Sequence, residues 1–242
     1  MSGLTLSEVS VGYQDTTVLN GLDLEVRPGE FLAVLGPSGC GKSTLLRTLA
    51  GLRPASSGRL LADGSPILGP SARRALVFQD DGLLPWRSVA RNVELPLRIR
   101  GIGRVRRREL AGEWIARVGL AGYERRLPRE LSGGMRQRVQ LARALAGAPG
   151  VLLMDEPFGA LDAGSRAAMQ RLLLDTWTER PVTVVFVTHD IGEALLLADR
   201  IVVLGGRPAA VISDIPVPER KPDPDLTARV VAALASATEQ GA

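Results

Sequence analysis

The chain has 242 residues, enough to bury a full core, and its 45% hydrophobic content with only 4% aromatics fits a Leu/Val/Ala-rich α/β protein. A single cysteine, Cys40, excludes an internal disulfide framework, and no run approaches the ~20 apolar residues of a bilayer-crossing helix. The net charge of +4 is mild, yet all but two of the 30 basic residues are arginine, so Lys42 and Lys221 each call for a reason.

The N-terminal "MSGLTLSEVS" lacks the apolar stretch of a signal peptide, so an intracellular protein is expected, with any membrane role that of a peripheral partner. From Leu4 to Leu35 the pattern is β: "LTLSEVSV", "LDLEV" and "FLAVL", with Pro28-Gly29 marking the turn before the last. A glycine-rich loop follows, then "KSTLLRTLAGL", apolar at helical spacing and stopped near Gly51. "RALVF" (74–78) reads as a short buried strand ending at Gln79. Residues 88–148 turn helical. "RRRELAGEWIARVGL" places Leu110, Trp114, Ile115 and Val118 on one face before Gly119, and Met135, Val139, Ala142 and Leu145 repeat that pattern. Then "VLLM", a helix over 163–178, "VTVVFV", a helix over 191–198 and "IVVL" alternate. Fully apolar strands between helices argue for a parallel sheet covered on both faces. The tail from 205 is Pro-rich, with one short helix expected at 225–235.

"GPSGCGKS" satisfies the full P-loop spacing, with Gly36, Gly41, Lys42 and Ser43 in place between a strand and a helix. Such a loop wraps phosphates with backbone N–H groups, sets a lysine charge on the β and γ oxygens and offers a hydroxyl to Mg²⁺. Cys40 sits inside it at a helix N-terminus, where the dipole favours thiolate unless the side chain is only a small loop filler. "VLLMDEP" ends a buried strand with two carboxylates. Asp155 is placed to hold Mg²⁺ through water and Glu156 to orient or deprotonate the attacking water, although a helix N-cap pair has the same appearance. His189, the only histidine, follows "VTVVFVT" and alone reads as a satisfied structural group. Asp190 and Glu193 read as a capping box, and Tyr13 and Gln79 are equally ambiguous in isolation. "LSGGMRQR" (131–138) sets a serine and two glycines before a helix, a second anion cradle without a lysine.

Taken in order, Tyr13, the P-loop, Gln79, "LSGGMRQR", "LLMDEP", "ALD" (160–162) and His189 resemble the ATP-binding subunits of ABC transporters over about 4–220. The resemblance implies an α/β fold: a P-loop NTPase core with a mainly parallel sheet, an N-terminal antiparallel β subdomain and an inserted helical subdomain at about 88–148. One ATPase domain would fill 1–220, with a short tail over 221–242. It implies ATP and Mg²⁺ as cofactors. ATP would be bound by an adenine-stacking Tyr13, by Gly36, Pro37, Ser38, Gly39, Cys40, Gly41, Lys42, Ser43 and Thr44, by a signature loop of Ser132, Gly133 and Gly134, and by a D-loop Asp162. Ser43, Gln79 and Asp155 would serve the metal; Glu156, a switch His189, Lys42 and the Q-loop Gln79 would serve catalysis. "FQDDGLLPW" and "DEPFGALDAGSR" look like the nitrate/sulfonate/taurine/bicarbonate import branch, the first string most like its taurine ATPases. Met135 departs from the glutamine of the commonest signature and Ser165 from a usual threonine.

Such a subunit would act as a homodimer with ATP at the interface, peripheral on the cytoplasmic face of the cell membrane. It would meet two transmembrane permease subunits near Gln79 to Trp86, in a system fed by an extracytoplasmic solute-binding protein. Taurine or another organosulfonate is the expected solute, with nitrate, bicarbonate or a pyrimidine precursor behind it. The arginines at 98, 100, 104, 106, 107 and 108 lack interleaved aromatics and read as a solvated face, so no nucleic-acid partner is expected. A soluble ABC ATPase acting on nucleic acid would carry tandem cassettes or a long coiled insert, and an exporter ATPase would not be expected to carry "LLPW".

Overall fold

The computed structural model describes residues 2–14, 16–80, 82–221 and 223–240. Asp81 of the expected docking string and Pro222, Gly241 and Ala242 of the expected tail lie outside them. The chain opens with strands β1 (Leu4–Tyr13) and β2 (Thr16–Val26), an antiparallel pair in which Leu4 faces Val26. Strand β3 (Phe31–Leu35) leads through the glycine loop into helix α1 (Lys42–Leu49). Strands β4 (Ser57–Ala62) and β5 (Ser65–Pro66) form a hairpin absent from the sequence reading. Its signal was present: Asp63 and Gly64 both take positive φ, the demand that a tight two-residue hairpin turn makes and that Asp-Gly meets.

Strand β6 (Arg74–Val77) precedes the helical segment of α2 (Val89–Ile99), α3 (Arg104–Arg117) and α4 (Gly133–Ala146). Strand β7 (Val151–Asp155), helix α5 (Ala163–Glu179), strand β8 (Thr183–Val187), helix α6 (Ile191–Leu197) and strand β9 (Arg200–Gly205) then alternate as expected. The tail holds more than expected. Strand β10 (Ala210–Pro216) pairs antiparallel with β9, and helix α7 runs over Pro224–Glu239 rather than 225–235. Asp223 caps α7 with its carboxylate on the Asp225 and Leu226 N–H groups, and Leu226, Val230 and Ala237 are buried in the main core.

Two sheets result, ordered β2-β1-β4-β5 and β10-β9-β3-β8-β7-β6. In the second, β3 runs parallel to both β8 and β9, and β7 runs parallel to both β6 and β8. Their all-apolar sequences follow from burial on both faces. Along β3, Leu32 and Val34 pack with the antiparallel sheet and α1, while Phe31, Ala33 and Leu35 pack with the helices on the other side. Strand β7 alternates in the same way, Val151 and Leu153 to one core and Leu152 and Met154 to the other. Of the helical faces read from periodicity, Ile115, Val118, Val139, Ala142 and Leu145 are buried, while Leu110, Trp114 and Met135 are partly buried against the same core.

Candidate functional site

The strand order sets four chain segments side by side at the carboxyl ends of adjacent parallel strands. Gln79 follows β6, Asp155 ends β7 with Glu156 next, His189 follows β8, and the glycine loop follows β3. This edge is where ligands bind in open α/β sheets.

In the glycine loop two positions admit no side chain. A Cβ on Gly36 would lie 2.3 Å from the Leu204 carbonyl oxygen, and one on Gly41 would meet Leu19 and Val18 at 2.8 and 2.9 Å. Gly41 also has φ of 104° at the N-cap of α1, left-handed backbone that glycine adopts without strain. Lys42 is nearly buried and donates from Nζ to the carbonyls of Gly36 at 2.7 Å and Pro37 at 2.8 Å, so its charge lies across its own loop. Cys40 overturns the thiolate expectation. It is 4% exposed, and burial pushes its thiol up, an effect that nearby Lys42 only partly offsets. Desolvation outweighs the helix dipole here.

Asp155 is buried as well, and its carboxyl is pushed up chiefly by burial; a hydrogen bond with Ser43 opposes this and the charge of Glu156 adds to it. Glu156 takes φ of 45°, held by its N–H donating to the Val187 carbonyl at 2.9 Å. A non-glycine residue there stores about 1–3 kcal/mol of strain. The consequence is placement: Glu156 Oε2 lies 3.2 Å from His189 Nδ1. The His189 side chain is 72% exposed at this sheet edge.

The capping box at Asp190 is half built. Asp190 accepts from the Glu193 N–H at 3.1 Å, but the Glu193 carboxylate turns inward, accepting from Thr188 Oγ1 at 2.7 Å and Gln170 Nε2 at 3.2 Å. Thr188 Oγ1 in turn accepts from the Asp190 N–H at 3.0 Å, fixing the backbone on either side of His189.

Tyr13 presents its ring at the end of β1 with the Arg53 guanidinium over one face, 4.0 Å from the centroid. Its hydroxyl is held below the usual phenol range, first by a hydrogen bond with Thr44 and then by Arg47. Ser132 is the N-cap of α4: it accepts from the Met135 N–H at 3.2 Å, which leaves its O–H free to donate. Gly134 packs against the 160–161 backbone, where a Cβ would lie 3.3 Å from the Ala160 carbonyl oxygen. Asp162 caps α5 by accepting from the Ser165 N–H at 2.9 Å, and that bond holds its carboxyl below the usual range.

Sequence reasoning missed what ties these segments together. Buried Gln140 on α4 donates from Nε2 to the carbonyls of Phe78 at 3.1 Å and Asp80 at 3.3 Å, gripping the backbone on both sides of Gln79. One turn earlier, Gln137 Oε1 accepts from the Ala160 N–H at 3.1 Å, anchoring the chain ahead of Asp162. One helix therefore carries the Ser132 loop at its N-terminus and bonds to two other site segments along its side. The available signal was weak: two glutamines three residues apart beside an apolar stripe.

The sequence profile described as "ABC transporter" matches residues 19–159. The chain is 50% identical over 220 residues to a taurine import ATP-binding protein of Chromobacterium violaceum, covering 90% of this chain and 84% of that one. Against a taurine import ATP-binding protein of Burkholderia pseudomallei the identity is 48% over 217 residues, 88% and 84% of the two chains. Among solved structures, an ATP-binding cassette captured as a dimer in a post-hydrolysis state with ADP and Pi superposes with a TM-score of 0.81 at 31% identity. That match spans 89% of this chain and 99% of the other.

Proposed function

The chain belongs to the ABC transporter family as an ATP-binding subunit, and on that premise we propose that it hydrolyses ATP to power import of taurine or a closely related organosulfonate. The observation that carries the catalytic half is the Glu156–His189 pair, 3.2 Å apart on the same sheet edge as the Lys42 loop. The solute rests on the 50% identity, over most of the chain, to a taurine import ATP-binding protein.

The residues divide the work by their chemistry. The N-terminus of α1 and the loop N–H groups receive phosphate oxygens, and Lys42 exchanges its two carbonyl acceptors for them. Asp155 and Ser43 are hard oxygen donors in contact, and the cost of keeping the Asp155 carboxylate from water is what a cation would offset, so they fit Mg²⁺, which Gln79, following the neighbouring strand β6, would also serve. Bound there, Mg²⁺ supplies charge neutralisation at the phosphate oxygens. Glu156 accepts the proton of the attacking water, and His189 fixes the orientation of its carboxylate through Nδ1. Tyr13 offers an aromatic face to adenine. Ser132, Gly133 and Gly134 complete the phosphate shell of a second copy in a homodimer, with Asp162 near that interface.

The membrane side is reached through the segment from Gln79 to Trp86. Trp86 is 73% exposed, while Leu83 in the same segment is buried. Beside this segment an apolar groove of about 510 Å³ runs past Leu76, Phe78, Leu95, Pro96 and Ile99, a shape that fits a helix of a permease subunit. An extracytoplasmic binding protein delivers the solute. The test is ATP hydrolysis by the assembled transporter in proteoliposomes. Taurine-loaded binding protein is expected to stimulate turnover severalfold; stimulation by nitrate, bicarbonate or a pyrimidine precursor and not by taurine would overturn the solute.

A further inference from the structure

Tyr13 is held by three residues of α1 and its exit. Its hydroxyl bonds with Thr44 in the first turn of the helix and with Arg47 one turn on. Arg53 lies just past the end of the same helix and meets the ring instead. The left-handed φ of 79° at Gly51 stops α1, and the N–H groups of Leu52 and Arg53 both donate to the Arg47 carbonyl, at 2.9 and 3.2 Å. From that anchorage the Arg53 guanidinium covers one face of Tyr13, 4.0 Å from the centroid, and Nη2 donates to the Gly12 carbonyl. The hydrogen bond fixes the peptide plane ahead of Tyr13, and the face contact fixes the ring.

The strands close tightly at this point, since a Cβ on Gly12 would lie 2.8 Å from the Thr16 carbonyl oxygen. Tyr13 is nevertheless 38% exposed, and among the described residues no second ring or cation stacks on it. One face thus carries a charge while the ring keeps accessible surface for a stacking partner. An aromatic face has a negative potential, which repels the π-cloud of a second ring laid upon it. A cation seated on the opposite face draws that density toward itself and weakens the repulsion. A tyrosine backed by a guanidinium is therefore both stiffer and a better platform for a flat base than a tyrosine standing free in water.

We propose that Arg53 is a positioning residue of the nucleotide site, bracing Tyr13 from behind so that the far face of the ring receives the base. The inference rests on the adenine-stacking role of Tyr13 given above and adds to it the residue that turns an exposed tyrosine into a fixed platform. Helix α1 joins the two halves of the site: the phosphate loop at its N-terminus, Thr44 and Arg47 along it, and Arg53 beyond its C-terminus. Its eight residues rise about 12 Å as one rigid element. The spacing of base platform and phosphate loop is thus set before the nucleotide arrives, which lowers the ordering cost of binding. The gain grows with the area of the base, so it favours a purine over a pyrimidine.

The experiment is equilibrium binding to the full-length protein by titration calorimetry with Mg²⁺ present, using ATP, UTP and tripolyphosphate as probes. Arg53→Ala is expected to raise Kd for ATP about fivefold, the worth of one cation–π contact, and Kd for UTP by less. Tripolyphosphate, which meets only the Lys42 loop, should bind as before, with a melting temperature no more than about 2–4 °C lower. Arg53→Lys, which keeps a cation over the ring, should recover most of the loss, and it serves as the test variant if the alanine form folds poorly. Once Tyr13 is leucine, Arg53→Ala should cost nothing further, because the ring it acts through is gone. Unchanged or tighter ATP binding by Arg53→Ala, with Tyr13→Leu weakened, overturns the brace and leaves the stacking role of Tyr13 standing; tighter binding would show the arginine competing with the base for the ring. Wild-type ATP binding by Tyr13→Leu removes the stacking role and the brace with it. An equal loss for ATP and tripolyphosphate, no recovery with lysine, or a full Arg53→Ala effect in the Tyr13→Leu background would each overturn the proposal.

Discussion

Gln140→Leu separates positioning from stability in a way few substitutions here do. The wild-type side chain makes two bonds through Nε2, to Phe78 and Asp80, while its Oε1 is buried with no partner among the described residues. Leucine removes both bonds but also removes the unsatisfied oxygen. Asp80 is exposed, so its carbonyl turns to water; Phe78 is half-buried, and losing its donor costs about 1 kcal/mol. Relief of the desolvated Oε1 returns about 1 kcal/mol or more. The net change in folding stability is therefore within about 1 kcal/mol, a melting shift of only about 2–4 °C for a chain of this size. The loop around Gln79 nevertheless loses its grip on α4. On the proposed role of Gln79 at the metal and the reacting water, kcat is expected to fall about tenfold, the worth of one lost positioning interaction, with KM for ATP unchanged because the Lys42 loop is untouched. Hydrogen exchange at the 78–82 amides should rise in step. Gln140→Glu, which sets a buried charge against two carbonyl oxygens, should be the more damaging to stability. Wild-type kcat with faster exchange would show that the loop's position does not matter, and a melting temperature more than about 8 °C lower would show that the compensation argument is wrong.

Four further outcomes follow from the same geometry. Glu156→Gln is expected to bind ATP with wild-type affinity but to turn over at least a hundredfold more slowly, trapping an ATP-bound dimer visible by size exclusion; near-normal hydrolysis would remove Glu156 as the base. Alkylation of Cys40 requires thiolate, and burial raises its pKa, so the protonated form persists to higher pH than for an ordinary thiol. Its labelling should thus be slow at neutral pH, climb only in the alkaline range and be blocked by ATP, and fast labelling at pH 7 would refute the burial argument. Trp86→Ala should leave folding and ATP affinity unchanged while weakening co-purification with the permease, and unfolding would make it a core residue. Finally, Lys42→Ala and Ser132→Arg, each inactive alone, are expected to restore ATP-dependent dimerisation when mixed, since one chain keeps its glycine loop and the other its Ser132 loop. Proven mixed dimers without recovery would confine that second cradle to its own chain.

The amino-acid sequence by itself determined the features encoded within a few neighbouring residues. The spacing of Gly36, Gly41, Lys42 and Ser43, the all-apolar strands at 151–154 and 183–187 and the helical stripe through Val139 and Leu145 are local patterns with local causes, and each stands where it was read. The Asp63-Gly64 hairpin was equally local and was overlooked. In the Pro-rich tail, the pairing of β10 depends on β9 being available as a neighbour rather than on composition. Only the tertiary structure decided which distant groups meet and which lose water. Glu156 and His189 touch because β7 and β8 are adjacent in the sheet, and Gln140 reaches Phe78 and Asp80 because α4 packs beside β6. The reversal at Cys40 has the same origin. A helix N-terminus is legible in sequence, but the desolvation that overrides its dipole is the sum of everything packed around the thiol.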